Sequence, residues 1–142
     1  MKLASDILKS KGHDIWAVKA DDTIFDSLQL MAEKEIGALL VMDGDKLVGI
    51  VTERDYARKV ILDGKSSRTS SVSEVMTGKV LCVAPERTVE ECMALMTDKR
   101  ARHLPVVDGE RVIGVLSIGD LVKAILSEQQ TLIEQLQHYI SG

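Results

Sequence analysis

The chain has 142 residues, 45% of them apolar and 28% charged, with a net charge of −4. That suits one compact module with a buried core and excludes a disordered or fibrous protein. The acidic balance and the supply of one Trp, one Phe and two Tyr favour neither general attraction to nucleic acid nor a base-stacking platform.

In chain order, Ser5-Asp6-Ile7-Leu8 reads as a short lead-in helix, and a strand is expected around Ile15–Val18. Thr23-Ile24-Phe25-Asp26 is a capping-box pattern, followed at helical spacing by Ile24, Leu28 and Met31; an amphipathic helix follows. Ala38–Met42 and Leu47–Val51 are short apolar runs around Asp43-Gly44-Asp45-Lys46, a hairpin signal. Thr52 then opens a second helix through Tyr56–Ile61, and 63–71 reads as an exposed, flexible connection.

The same order returns. Ser73-Glu74-Val75-Met76 matches the lead-in at an offset of 68, and a strand is expected around Val80–Val83. Residues 83–126 repeat 18–61 at a constant offset of 65, without a gap. Val18, Thr23, Leu30, Met31, Lys34, Leu39, Val41, Asp43, Gly44, Gly49 and Asp55 recur unchanged. Thr88-Val89-Glu90-Glu91 is the second capping box, Asp108-Gly109 the second hairpin turn, and Ser117 the second helix opener. Two copies suggest a closed pair about a pseudo-twofold axis rather than a solenoid. The division is 1–64, a linker 65–72, 73–127, and an extension 128–142. Cys82 and Cys92 lack the spacing of a zinc framework and are expected reduced and buried.

Beyond Ser127 the last helix runs on. Val122, Ile125, Gln129, Leu132, Leu136 and Tyr139 alternate spacings of three and four, flanked by Leu126, Ile133 and Ile140. Such a stripe suits either a helix laid over its own domain or one packed against a second subunit. No apolar run approaches the roughly 20 residues of a membrane span, and residues 1–6 lack a signal-peptide core. No membrane partner and a cytoplasmic location are therefore expected.

The candidate chemistry lies in Gly49-Ile50-Val51-Thr52-Glu53-Arg54-Asp55 and Gly114-Val115-Leu116-Ser117-Ile118-Gly119-Asp120. Each ends a strand, sets a hydroxyl at a helix start and adds a carboxylate three residues later. Such a helix start attracts anions, a hydroxyl can bond a phosphate, and a carboxylate can accept from ribose hydroxyls. The same pattern is also a plain capping box. Ahead of the hairpins the copies diverge: Lys99-Arg100-Ala101-Arg102-His103 is basic, whereas Lys34-Glu35-Ile36-Gly37-Ala38 is not. The basic run is either a solvated turn or a phosphate grip. Arg54 adds a charge where the second copy has Gly119, so the two sites are expected to differ in anion affinity.

These two junctions, with Arg102-His103-Leu104-Pro105-Val106-Val107-Asp108 and the lead-in Val75-Met76-Thr77, resemble a tandem pair of CBS domains, named after cystathionine β-synthase. The resemblance covers roughly residues 3–126. It implies an α/β (α+β) fold of two β-α-β-β-α repeats and adenosine ligands (AMP, ADP, ATP, NAD or S-adenosylmethionine) in clefts between the repeats. Asp55 and Asp120 would hold ribose hydroxyls, and Thr52 and Ser117 would contact ribose or phosphate. Arg102 and His103 would grip phosphate, and backbone around Gly37-Ala38 and His103-Leu104 would border adenine. Gly37 and Ala38 depart from the basic pattern, which puts phosphate binding there in doubt.

The function expected is a dimeric nucleotide-sensing module that regulates an unidentified protein, with no catalytic residue and no metal. A ligand-free dimeric adaptor is the alternative. A nucleotide-processing enzyme is the third: there is no P-loop, no acidic metal cluster and no nucleophile with an evident base, and His13, His103 and His138 lie in dissimilar contexts.

Overall fold

A computed structural model describes residues 2–141. The element order is α1 (Ala4–Lys11), β1 (Ala17–Val18), α2 (Ile24–Lys34), β2 (Ala38–Asp43), β3 (Lys46–Thr52), α3 (Glu53–Tyr56) with a π-helical continuation Ala57–Ile61, α4 (Val72–Val75), α5 (Val89–Lys99), β4 (His103–Asp108), β5 (Arg111–Ser117) and α6 (Ile118–Ser141). The fold is mixed α/β with a long C-terminal helix. β1, β2 and β3 form one sheet in that order, with β1 parallel to β2; β4 and β5 form a second.

The compact units divide the chain differently from the sequence repeats. One unit runs Ile15–Leu81; the other joins the N-terminal segment through Asp14 to the chain from Cys82 onward. Each lead-in helix therefore docks on the other repeat, and it does so with one register. Ala4 N–H donates to Arg87 O at 2.7 Å and Val72 N–H to Asp22 O at 2.8 Å; Val89 N–H donates to Lys2 O and Ile24 N–H to Ser70 O. The buried residues match in the same way. Ile24, Met31, Leu39, Val41, Val51, Val72 and Val75 form the core of the first unit. Val89, Met96, Leu104, Val106, Leu116, Ala4 and Ile7 are buried in the second. These side chains lose most of their contact with water, and that burial is the main driving force for each unit.

Glycine makes the docking possible. A Cβ on Gly49 would lie 2.5 Å from Met76 Sδ, and one on Gly114 2.5 Å from Leu8 Cδ2. Leu8 and Met76 are lead-in equivalents, so each strand carries glycine where the exchanged side chain presses on it. The three extra residues of the first lead-in lengthen its helix: α1 has 8 residues and α4 has 4.

Both hairpins turn through two residues, Gly44-Asp45 and Gly109-Glu110, with pairs Asp43↔Lys46 and Asp108↔Arg111 closing them. Gly44 (φ 60) and Gly109 (φ 65) take the positive φ that a first corner of this sign requires. The capping boxes are unequal. Thr88 and Glu91 cap α5 reciprocally, whereas Thr23 accepts from Asp26 N–H at 3.1 Å on α2.

Two expectations change, one on an early strand and one on a cysteine. Only the first of the two early strands forms: β1 is two residues long, and its copy is a single bridge, Val83↔Val106. The reason is chemical. Leu40 N–H bonds Trp16 O at 3.1 Å, and its counterpart Pro105 has no N–H to give. The connection after α3 is exposed over most of its length, as expected; Ser70 is buried, Phe25 N–H donates to Ser67 O, and Arg68 stacks 4.0 Å above the Phe25 ring. Both cysteines are free thiols, yet only Cys92 is buried; Cys82 is half-buried.

The C-terminal helix answers one open question. From Gln129 onward every described residue of α6 is exposed, including Leu132, Ile133, Leu136 and Ile140 at 47–83%. The extension is not laid over its own domain. Among the described residues no helix is long and apolar enough to cross a membrane.

Candidate functional site

Each unit brings the expected junction residues together by one device. Strand pairing sets Ala38 opposite Thr52 and His103 opposite Ser117. The turn before each hairpin then accepts the first helical amide: Glu53 N–H donates to Gly37 O at 3.1 Å and Ile118 N–H to Arg102 O at 2.9 Å. Gly37, Ala38, Thr52, Arg54 and Asp55 thus gather in one unit, and Arg102, His103, Leu104, Ser117, Gly119 and Asp120 in the other. Leu104 is fully buried opposite Leu116, so its side chain belongs to the core and its backbone alone can border a ligand.

The plainer reading of the motif is realised at both junctions. Asp55 N–H donates to Thr52 Oγ1 at 3.1 Å, and Asp55 Oδ2 accepts from Thr52 N–H at 3.0 Å. Asp120 N–H donates to Ser117 Oγ at 3.2 Å, and Asp120 Oδ2 accepts from Ser117 N–H at 2.8 Å. Capping engages one carboxylate oxygen. A carboxylate has about four acceptor positions, so Oδ1 retains capacity for a ligand hydroxyl. The first and third amides of each helix are also taken, which leaves those of Arg54 and Gly119 to meet an anion.

Both carboxylates carry a lysine that the motif alone did not reveal. Lys11 Nζ, from α1, lies 2.7 Å from Asp120 Oδ2 and donates to Val115 O at 2.9 Å. Lys59 Nζ lies 3.4 Å from Asp55 Oδ1 and donates to Val75 O at 3.0 Å. The second pair is an i,i+4 spacing legible in sequence; the first depends on the lead-in exchange. Burial of the Asp120 carboxyl acts to raise its pKa, but the Lys11 ammonium and the Ser117 donors outweigh it and hold the group below the usual carboxylate range.

Charge separates the two junctions. In the first repeat an open depression of about 320 Å³ lies beside Gly37, lined also by Leu28, Met31, Ala32 and Ile36. The exposed Glu35 and Glu53 complete the lining. Glu53 Oε1 lies 3.2 Å from where a Gly37 Cβ would be, so the exposed carboxylate sits beside that glycine. In register, the second repeat has Arg100, Arg102 and Ile118 at the positions of Glu35, Gly37 and Glu53. Glu35 (φ 55) and Arg100 (φ 53) are both left-handed caps of their helices. Among the described residues no three His, Cys, Asp or Glu side chains gather as a metal centre would need.

The structure is thus a duplicated α/β module, each half built on a hairpin that ends in a capped helix start with an aspartate. The chain belongs to the CBS-domain family, whose profile matches residues 4–62 and 72–127. It is 41% identical over 148 residues to the mitochondrial CBS domain-containing protein CBSX3 of Arabidopsis thaliana, covering 97% of this chain and 71% of that protein. It resembles the solved structure of a protein with CBS domains from Burkholderia ambifaria, with 54% identity, TM-score 0.88, and coverage of 90% and 96% of the two chains. It also resembles a CBS domain pair solved in complex with 5′-methylthioadenosine and S-adenosyl-L-methionine, with 25% identity, TM-score 0.80, and coverage of 90% and 98%.

Proposed function

We propose that this chain is a regulatory module, not an enzyme, that binds an adenosine-containing ligand at its strand-to-helix junctions. CBS pairs are regulatory ligand-binding modules as a class. The observation that carries the reading here is the doubled junction: hydroxyl, aspartate and pre-strand backbone meet in both units through the same bonds. Asp120 offers Oδ1 to the ribose hydroxyls, Asp55 offers its remaining acceptor positions beside Lys59, Thr52 and Ser117 contact ribose or phosphate, and the backbone of 37–38 and 103–104 borders adenine. Likeness to a pair solved with 5′-methylthioadenosine and S-adenosyl-L-methionine supports this choice of ligand class.

The two sites are unequal. Arg102, with Arg100 nearby, favours phosphorylated ligands such as AMP, ADP, ATP or NAD at the second junction. Glu35 and Glu53 oppose phosphate at the first. Regulation follows where ligand binds two states of the module differently, shifting its affinity for the regulated protein. A homodimer supports that output: the exposed α6 stripe of Leu132, Ile133, Leu136 and Ile140 is apolar surface that a second copy could cover. Titrating AMP, ATP, NAD and S-adenosylmethionine into the protein tests the proposal. Saturable binding supports it, silence at millimolar ligand favours a ligand-free adaptor, and steady turnover favours an enzyme.

A further inference from the structure

We infer that one ammonium clasps the end of each lead-in helix to a junction aspartate, and that in the second repeat this clasp makes the docking of α1 respond to what Asp120 binds. Lys11 is the last residue of α1. Its Nζ lies 2.7 Å from Asp120 Oδ2 and donates to Val115 O at 2.9 Å. Val75 is the last residue of α4. Its carbonyl accepts from Lys59 Nζ at 3.0 Å, and that ammonium lies 3.4 Å from Asp55 Oδ1.

The two lysines are not equivalent in register. The counterpart of Lys59 is the buried Ala124, and the counterpart of Lys11 at the lead-in offset is Lys79. Duplication alone would place one lysine at the same position twice. Here the tie is made from opposite sides, once by the lead-in helix and once by the junction helix, so copying does not account for it. In the second repeat Lys11 and the Ser117 N–H share Oδ2, which fixes the turn of the carboxylate and leaves Oδ1 outside the clasp. A ligand hydroxyl on Oδ1 steadies that arrangement without displacing Lys11, and a phosphate at the same helix start adds negative charge near the ammonium. What steadies Asp120 therefore steadies α1, and what neutralises Asp120 releases it. This response to ligand rests on the site reading above; the clasp itself does not.

The experiment is amide hydrogen exchange of the full chain, read by NMR where each lead-in helix ends. Gly12 N–H, bonded to Leu8 O at 2.8 Å, reports on α1, and Met76 N–H, bonded to Val72 O at 2.8 Å, on α4. Val107, bonded to Val83 O, and Leu40, bonded to Trp16 O, are references in the same units, so a general loss of stability cancels. Lys11→Met and Asp120→Asn should each speed exchange at Gly12 relative to Val107 by about fivefold, the scale of one partly exposed ion pair. Asn keeps an oxygen for the Ser117 N–H, so the charge is lost and the cap is not. The two changes combined should do no more than either alone. Lys59→Met should act at Met76 relative to Leu40 and leave Gly12 unchanged. Saturating AMP should slow Gly12 in the wild type and not in Lys11→Met. Unchanged exchange at Gly12 in Lys11→Met, or additive effects of the two substitutions, overturns the clasp. AMP that shifts the Ser117 amide without slowing Gly12 overturns the response to ligand. If AMP moves no amide, the adenosine reading has failed; the clasp then stands if Asp120→Asn frees Gly12 and falls if it does not.

Discussion

The Lys11 ammonium lies 2.7 Å from Asp120 Oδ2, joining the N-terminal helix to the helix start of the second repeat. The carboxylate is held below its usual pKa range, with burial opposing and Lys11 and Ser117 prevailing. The folded protein therefore binds fewer protons at Asp120 than the unfolded chain, whose carboxylate titrates near pH ~3.9. Its stabilisation is present above that pH and is lost as pH falls through the lower folded value. Lys11→Met should cost about 1 kcal/mol at pH 7, a modest amount because the pair is partly exposed. The difference from wild type should shrink as pH falls below the ordinary carboxylate range and the folded-state group is protonated. Urea unfolding of both proteins across that range checks it; a gap that is constant with pH would mean that Lys11 acts through packing.

Gly49 and Gly114 meet Met76 and Leu8 at distances no real Cβ tolerates. Gly114→Ala should destabilise by about 1–3 kcal/mol, as overpacking does, and Leu8→Ala in the same chain should make the glycine replacement cheaper. Gly49→Ala should be rescued less well by Met76→Ala, because Thr77 O also lies 3.1 Å from the new Cβ and backbone cannot step aside. Double-mutant cycles from denaturant melts measure both couplings.

Ile133, Leu136 and Ile140 protrude from α6 without covering anything in their own chain. If they form a dimer seam, Ile133→Asp with Leu136→Asp should convert the protein to a monomer in sedimentation equilibrium. The cores of the two units should be untouched, so spectra of their buried methyls should not change. A monomeric wild type at high micromolar concentration would count against the homodimer.

Much of this was readable beforehand because the physics is local. A glycine at positive φ, a hydroxyl cap and an apolar stripe act within one element, so both hairpins and both capped helix starts follow from residues a few positions apart. The exchange of lead-ins was not readable: Leu8 must find Gly114 and Lys11 must find Asp120, contacts that no periodicity encodes. The shortened strand in the second repeat had a signal, Pro105 in place of Leu40, but its meaning depended on knowing that Leu40 N–H is used.

The central claim is that the two junctions are adenosine sites of unequal charge, and AMP binding measured site by site tests it most directly. In amide spectra of the wild type, Asp120→Ala and Arg102→Ala, AMP should act at the second junction of the wild type. It should weaken by about tenfold or more when either side chain is removed, the value of one charge-assisted bond. Asp55→Ala should leave that site unchanged. No response to millimolar AMP at either junction, or equal responses at both that ignore Arg102, would contradict the account.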